Sequence, residues 1–187
     1  MNRQLTNPRL GAVLAATAAL ALAATAPGQA DQARRGASPV AGSAKAQVVR
    51  TASGDLVARS VTTGHRTRLA PGIAASLVDV DGNYVGVSGR FGDRIEVRSI
   101  DARTGRVTLR ARTPNVLALE VRRTGTLVWV AQHGTSRSVH GRNAGGSHVL
   151  GTGTAIDPQS LAVADSDTTT AHVYWTDGGV PAPAAIE

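Results

Sequence analysis

The chain has 187 residues, a formal net charge of +7, no cysteine, and only two Trp, two Tyr and one Phe as aromatic residues. The lack of cysteine excludes disulfides, thiolate metal ligands and a cysteine nucleophile. A core must therefore come from Val, Leu, Ile and Ala, which favours strands over helices packed through large side chains.

The first 30 residues have the three-part pattern of a secretory signal peptide. Arg3 and Arg9 stand in a polar segment without acids, an Ala- and Leu-rich run follows over residues 10–26, and Gly28-Gln29-Ala30 supplies the small-residue end. We therefore predict a secreted protein, cleaved after Ala30 and left without a stable membrane span. An uncleaved membrane anchor is the alternative. A lipid anchor is excluded because it needs a cysteine.

The charged residues are unevenly distributed. Lys45 is the one lysine, and this arginine bias indicates a GC-rich bacterial source. Residues 151–187 contain five acidic residues and no Lys or Arg. A basic surface attracts nucleic acid in many proteins. Here the arginines are spread singly along predicted strands without interleaved aromatic residues, so we predict no nucleic-acid partner.

From residue 46 onward, apolar and polar residues alternate between turns rich in Gly, Asp and Thr, which predicts strands. Similar units recur about every 40 residues, and such a period with four short strands is typical of a β-propeller blade. Residues 127–131 are apolar on both faces, as in a buried inner strand. Residues 106–112 alternate strictly, as in an outer strand with one face in water.

We therefore predict an all-β fold of propeller-type blades, each with four antiparallel strands, over residues 46–179. Residues 31–45 are predicted to be a disordered lead-in. Residues 180–187 are predicted to be a C-terminal tail, because Pro181 and Pro183 cannot donate to a strand ladder.

The predicted number of blades is unusual. At about 42 residues per blade, residues 46–187 encode about 3.4 blades, with strands grouped three, four, four and two. The result is a partial or a four-bladed propeller. Three alternatives stay open: a compact four-bladed ring completed by N-terminal strands, a homodimer in which two chains share one larger ring, or a truncated relative of a longer protein.

Three sequence features follow one another over residues 139–177. Val139–Leu150 contains a hairpin and a Val-Leu strand, Asp157–Ala164 contains Pro-x-x-Leu-Ala-Val, and Tyr174-Trp175-Thr176-Asp177 completes the series. Together they resemble one YWTD repeat of the low-density-lipoprotein-receptor class of β-propellers, the earlier units being degenerate. The resemblance implies a structural role for Tyr174, Trp175, Thr176 and Asp177: aromatic rings pack between blades and the Asp bonds to neighbouring backbone. It implies no ligand site.

Two glycine-containing segments resemble catalytic or phosphate-binding motifs in part. Gly86-Val87-Ser88-Gly89 lacks the spacing of a nucleophile elbow. Gly151-Thr152-Gly153 lacks a third glycine and a following helix, so we predict a turn there.

Clusters of potential metal ligands have simpler interpretations. Residues 79–83 read Asp-Val-Asp-Gly-Asn, which predicts a hairpin turn because the closing Glu of a calcium loop is missing. Asp165 and Asp167 receive the same interpretation. His133, His140 and His148 match no short zinc motif, so we predict solvated or turn histidines. No metal, cofactor or catalytic residue is predicted.

These observations favour a secreted binding or scaffold module whose partner is an unidentified extracellular protein or glycan. The alternatives are a secreted propeller enzyme, a hydrolase or lyase acting at the central channel, and a non-functional truncated relative. Convergence of His133, His172 or Asp177 within a cleft would favour the enzyme. Whether the chain is an enzyme therefore stays open.

Overall fold

The computed structural model describes residues 38–69, 75–165 and 170–187. Within these ranges the chain consists of strands, turns and short connections, without a helix. The strands are β1 (Ser38–Gly42), β2 (Ala46–Arg50), β3 (Leu56–Ser60), β4 (Arg66–Arg68), β5 (Ala75–Asp81), β6 (Tyr84–Phe91), β7 (Arg94–Asp101), β8 (Val107–Arg112), β9 (Asn115–Val121), β10 (Leu127–His133), β11 (Ser136–Asn143), β12 (Gly146–Gly153), β13 (Ile156–Asp165), β14 (Ala171–Asp177) and β15 (Val180–Ile186).

The strands form four antiparallel sheets in chain order: sheet 1 is β1–β4, sheet 2 is β5–β8, sheet 3 is β9–β12 and sheet 4 is β13–β15. Each strand pairs with the strands that precede and follow it within its sheet. Every sheet is therefore an antiparallel meander, in which short turns connect consecutive strands. The predicted all-β fold of four-stranded, propeller-type blades is confirmed. In the described part of the chain, sheet 4 has three strands.

Consecutive sheets pack face to face through aliphatic side chains. Val48 of sheet 1 packs with Val85 and Val87 of sheet 2 in one buried cluster. A second cluster joins sheet 2 to sheet 3, and a third joins sheet 3 to sheet 4. Sheets 2 and 3 are thus covered on both faces, which explains the unbroken apolar sequence of β10.

The four sheets are neighbours in chain order. The first strands of the sheets contact one another in succession, β1 with β5, β5 with β9 and β9 with β13. In residues 38–69, 75–165 and 170–187, no hydrophobic cluster joins sheet 4 back to sheet 1. Within these residues the sheets therefore pack one on the next in chain order, as consecutive propeller blades do.

Two corrections enlarge the predicted domain. Ser38–Gly42 was placed in a disordered lead-in but is strand β1, which pairs with β2. The small residues of this segment give no hydrophobic strand pattern. In the structure, Ala41 packs on the cluster between sheets 1 and 2, and the Ser43 hydroxyl donates to the Gly82 carbonyl at 2.7 Å.

Residues 180–187 were predicted to be a tail, but Val180–Ile186 is strand β15, paired with β14 along its length. Pro181 and Pro183 are two residues apart, so their nitrogens face the same side of the strand. Because β15 is the edge of sheet 4, both prolines fit without removing a ladder donor. The strand groups are therefore four, four, four and three instead of three, four, four and two.

The predicted turn at Gly151-Thr152-Gly153 is also wrong, because these residues end strand β12. A Cβ on Gly151 would lie 2.5 Å from Cζ2 of Trp175, and a Cβ on Gly153 would collide with the Asp177 carboxylate. The glycines thus allow the backbone of sheet 3 to approach two side chains of sheet 4 closely.

Candidate functional site

An open groove of about 440 Å³ lies at one end of the interface between sheets 2 and 3. Its lining comes from the start of β7, from the β8–β9 connection and from the end of β10. In an antiparallel meander, turns at equivalent positions of successive sheets lie at the same end, which brings these segments together. The lining residues are Arg94, Ile95, Arg112, Thr113, Pro114 and His133.

The charged residues around the groove are mainly basic. Arg94 Nε lies 3.6 Å from the exposed Asp93 carboxylate. Glu96 is opposite Arg112 across the β7–β8 pair, but its carboxylate binds Arg98 at 2.9 Å. Arg112 consequently has no ion pair within the described residues. Two arginines and one histidine thus line the groove, and Asp93 and Glu96 are the acidic residues beside these arginines.

Thr113, which lines the groove, is hydrogen-bonded to a buried side chain. Trp129 is almost fully buried between sheets 2 and 3, and its Nε1 donates to the Thr113 hydroxyl at 3.1 Å. The ring of Trp129 stacks on His140 with centroids 5.1 Å apart. Thr113 of the groove is therefore positioned by a buried side chain rather than by the connection alone.

A second group of charged residues lies on and just after the first strands of sheets 2 and 3. The Asp79 carboxylate accepts the Val121 N–H at 2.7 Å, and the Asp81 carboxylate accepts the Arg123 N–H at 3.0 Å. Each aspartate thus connects sheet 2 to the backbone of sheet 3. Their oxygens are used in structural bonds. The predicted hairpin turn is at Gly82-Asn83, between β5 and β6, with Gly82 at φ 59°.

Glu120 on β9 lies beside these aspartates. Burial raises the pKa of its carboxyl to about 7, and the Asp79 carboxylate adds to the rise while Arg122 opposes it. Arg122 also connects to sheet 4, since its Nη1 donates to the Val163 carbonyl at 2.9 Å. Glu120 is the residue that sequence analysis missed here; its position beside the aspartates depends on sheet packing and has no motif.

The three histidines considered as metal ligands lie in different surroundings. His140 is stacked on Trp129 and lies 2.7 Å from the Ser138 hydroxyl, and burial followed by nearby His133 lowers its pKa. His148 is exposed on β12. Within the described residues, no three His, Cys, Asp or Glu side chains are arranged to hold a metal ion. Asp165 is the last residue of β13, and Asp167 lies outside the described residues.

The three residues whose convergence would favour an enzyme lie apart in the fold. His133 lines the groove, whereas His172 is on β14, and the Asp177 carboxylate accepts the Ala155 N–H at 3.1 Å. No hydrogen bond or ion pair joins any two of these three side chains in the described part of the chain. His133, His172 and Asp177 therefore do not form an acid–base pair with one another.

The tetrapeptide of β14 has mixed surroundings. Trp175 is buried between sheets 3 and 4, Asp177 bonds to backbone as above, and the Thr176 N–H donates to the Ser160 hydroxyl at 2.8 Å. Tyr174 points to the opposite face and is 46% exposed. Membership of the YWTD family stays a prediction.

Among the described residues, no helix is long and apolar enough to cross a membrane.

No protein-family model matches the chain, and no curated protein matches it. Among solved structures, the chain is similar to Kluyvelomyces marxianus Hsv2, with a TM-score of 0.42 and 15% sequence identity. The match covers 74% of this chain and 46% of that chain, so this chain spans less than half of that protein's length.

Proposed function

We propose that the chain is an exported binding module that holds an anionic ligand in the groove between sheets 2 and 3. The observation that carries the proposal is the convergence of Arg94, Arg112 and His133 around one open groove. Export is supported by the signal-peptide pattern of residues 1–30, which lie outside the described part of the chain. The ligand is a carboxylate-bearing segment of an extracellular protein or glycan.

The composition of the groove agrees with such a ligand. Guanidinium groups bind carboxylates through paired hydrogen bonds, and the Thr113 hydroxyl is a further polar group. Ile95 and Pro114 give the groove an apolar side against which a sugar ring or an alkyl chain packs. The groove is open, which suits a segment of a polymer better than an enclosed small molecule.

We expect the double variant Arg94→Gln/Arg112→Gln to weaken binding of a carboxylate polymer by about tenfold, because two charge-assisted contacts are removed. The probes are polyglutamate and alginate, and affinity is measured by isothermal titration calorimetry at low and physiological salt. Binding by the parent chain should weaken as salt screens the charges.

The matched control is Arg106→Gln/Arg110→Gln, which removes the same charge from exposed positions on the outer side of sheet 2. This control should keep most of the parent affinity. An equal loss in both double variants would show that binding depends on overall charge and would contradict a site in the groove.

A further inference from the structure

Sheets 1 and 4 each have one face that no other described sheet covers, and these two faces differ in character. On sheet 4 the uncovered face carries Tyr174 between its cross-strand neighbours Ala162 and Pro183. Tyr174 is 46% exposed although it lies at the middle of the sheet. An exposed aromatic ring flanked by Ala and Pro is an apolar patch of the kind that marks an interaction surface.

The uncovered face of sheet 1 combines aliphatic and basic residues. Val49 on β2 and Val57 on β3 are cross-strand neighbours on this face. On the other side of β3, Val57 pairs with Arg68 on β4. Arg59 and Arg66 stand directly opposite each other, and neither has an ion pair among the described residues. Like charges placed directly across a strand pair destabilise a sheet unless an opposite charge lies nearby.

The charges of the two faces are complementary. Residues 151–187 contain no Lys or Arg, and exposed Asp157 lies on the uncovered face of sheet 4, opposite Thr176. The face of sheet 1 contributes arginines. An arginine also packs well on an aromatic ring, as Arg98 does over Phe91 at 3.4 Å from the ring centroid. Tyr174 offers such a ring to the arginines of sheet 1.

We propose that two copies of this chain associate head to tail, with sheet 4 of each copy packed on sheet 1 of the other. Within the chain, every sheet packs face to face on the next one. Each new interface extends this stacking from the last sheet of one copy to the first sheet of the other. Two equivalent contacts of this kind close a ring of eight sheets with two-fold symmetry. Eight blades is within the size range of known propellers. The groove between sheets 2 and 3 stays open in this assembly, so the inference is independent of the proposed function.

The first test is the mass of the full chain by sedimentation equilibrium. We expect twice the mass of a single chain, which is 19.1 kDa with residues 1–30 included. Tyr174→Glu places a charge at the centre of the sheet 4 face and should give a monomer. Val149→Glu is the control, because Val149 is 62% exposed on β12 and outside both faces, and it should stay dimeric. A monomeric parent, or a larger open assembly, would overturn the proposal.

The second test uses the absence of cysteine from the chain. Val57→Cys introduces a thiol on the face of sheet 1, and Ala162→Cys introduces one on the face of sheet 4. We expect a short bismaleimide to produce a covalent dimer when the two variants are mixed, and little dimer with either variant alone. Cross-linking of one variant to itself would show like faces in contact and would refute the head-to-tail arrangement. This test needs no disruptive substitution.

Discussion

Replacing Trp175 by alanine is expected to lower the free energy of unfolding by about 3 to 5 kcal/mol. Trp175 is 6% exposed and fills the interface between sheets 3 and 4. Its ring lies against Gly151, where no side chain can move in to fill the space. The substitution therefore leaves a cavity in addition to removing buried apolar surface.

The measurement is urea unfolding followed by circular dichroism. Val180→Ala is the control, since Val180 is 67% exposed at the start of β15 and should change stability by less than about 0.5 kcal/mol. Trp175→Phe keeps an aromatic ring and should lose less than Trp175→Ala. A loss below about 1 kcal/mol for Trp175→Ala would mean that sheets 3 and 4 do not pack through this residue.

Glu120→Gln is expected to stabilise the chain at pH 8 by about 1 to 2 kcal/mol, a value that allows for screening by solvent at a half-buried group. The folded-state pKa of Glu120 is about 7, above its ordinary value of 4.5. Between these two values the folded chain holds the proton more strongly than the unfolded chain. Stability from this group is therefore present at low pH and is lost as pH rises toward 7.

The quantity to measure is the difference in unfolding free energy between Glu120→Gln and the parent from pH 5 to pH 8. The difference should be small at pH 5 and should grow as pH rises. Subtraction is necessary because the pKa of His140 is lowered, so His140 destabilises the chain as pH falls through this range. The pKa values of Asp55 and Asp101 are lowered, first by side-chain hydrogen bonds from Arg68 and Arg103, and subtraction of the parent also cancels their contributions.

Asp93→Asn removes the same charge from an exposed position and serves as the control. Its stability difference from the parent should stay nearly constant over this pH range. If Glu120→Gln gives an equally flat difference, Glu120 is not held in the buried site between the aspartates and Arg122.

The fold follows from sequence where the hydrophobic pattern is strong. Strand β10 was predictable because five consecutive apolar residues need cover on both faces. Strands β1 and β15 were missed because Ala, Gly, Ser and Pro carry no strand signal, although β2 and β14 provide pairing partners. Pairing with an existing edge outweighs weak propensity in both segments.

The groove between sheets 2 and 3 was harder to predict from the sequence than the fold. Arg94 and Arg112 are 18 positions apart and His133 belongs to the next sheet, so no local motif connects them. The available signal is positional: Arg94 and His133 each lie beside the turn between the second and third strands of successive sheets. Such turns meet at one end of a repeat stack, and a search for basic residues at equivalent turns would have found the groove.

The most direct test of the account is whether the sheets stack in chain order, which methyl–methyl nuclear Overhauser effects report. We expect contacts between Val48 and Val87 across sheets 1 and 2, and between Val130 and Ile156 across sheets 3 and 4. We expect none between Val48 and Val130, because sheet 2 separates them. Strong contacts between Val48 and Val130 would mean that sheets 1 and 3 face each other as a sandwich, and the blade-by-blade arrangement would be wrong.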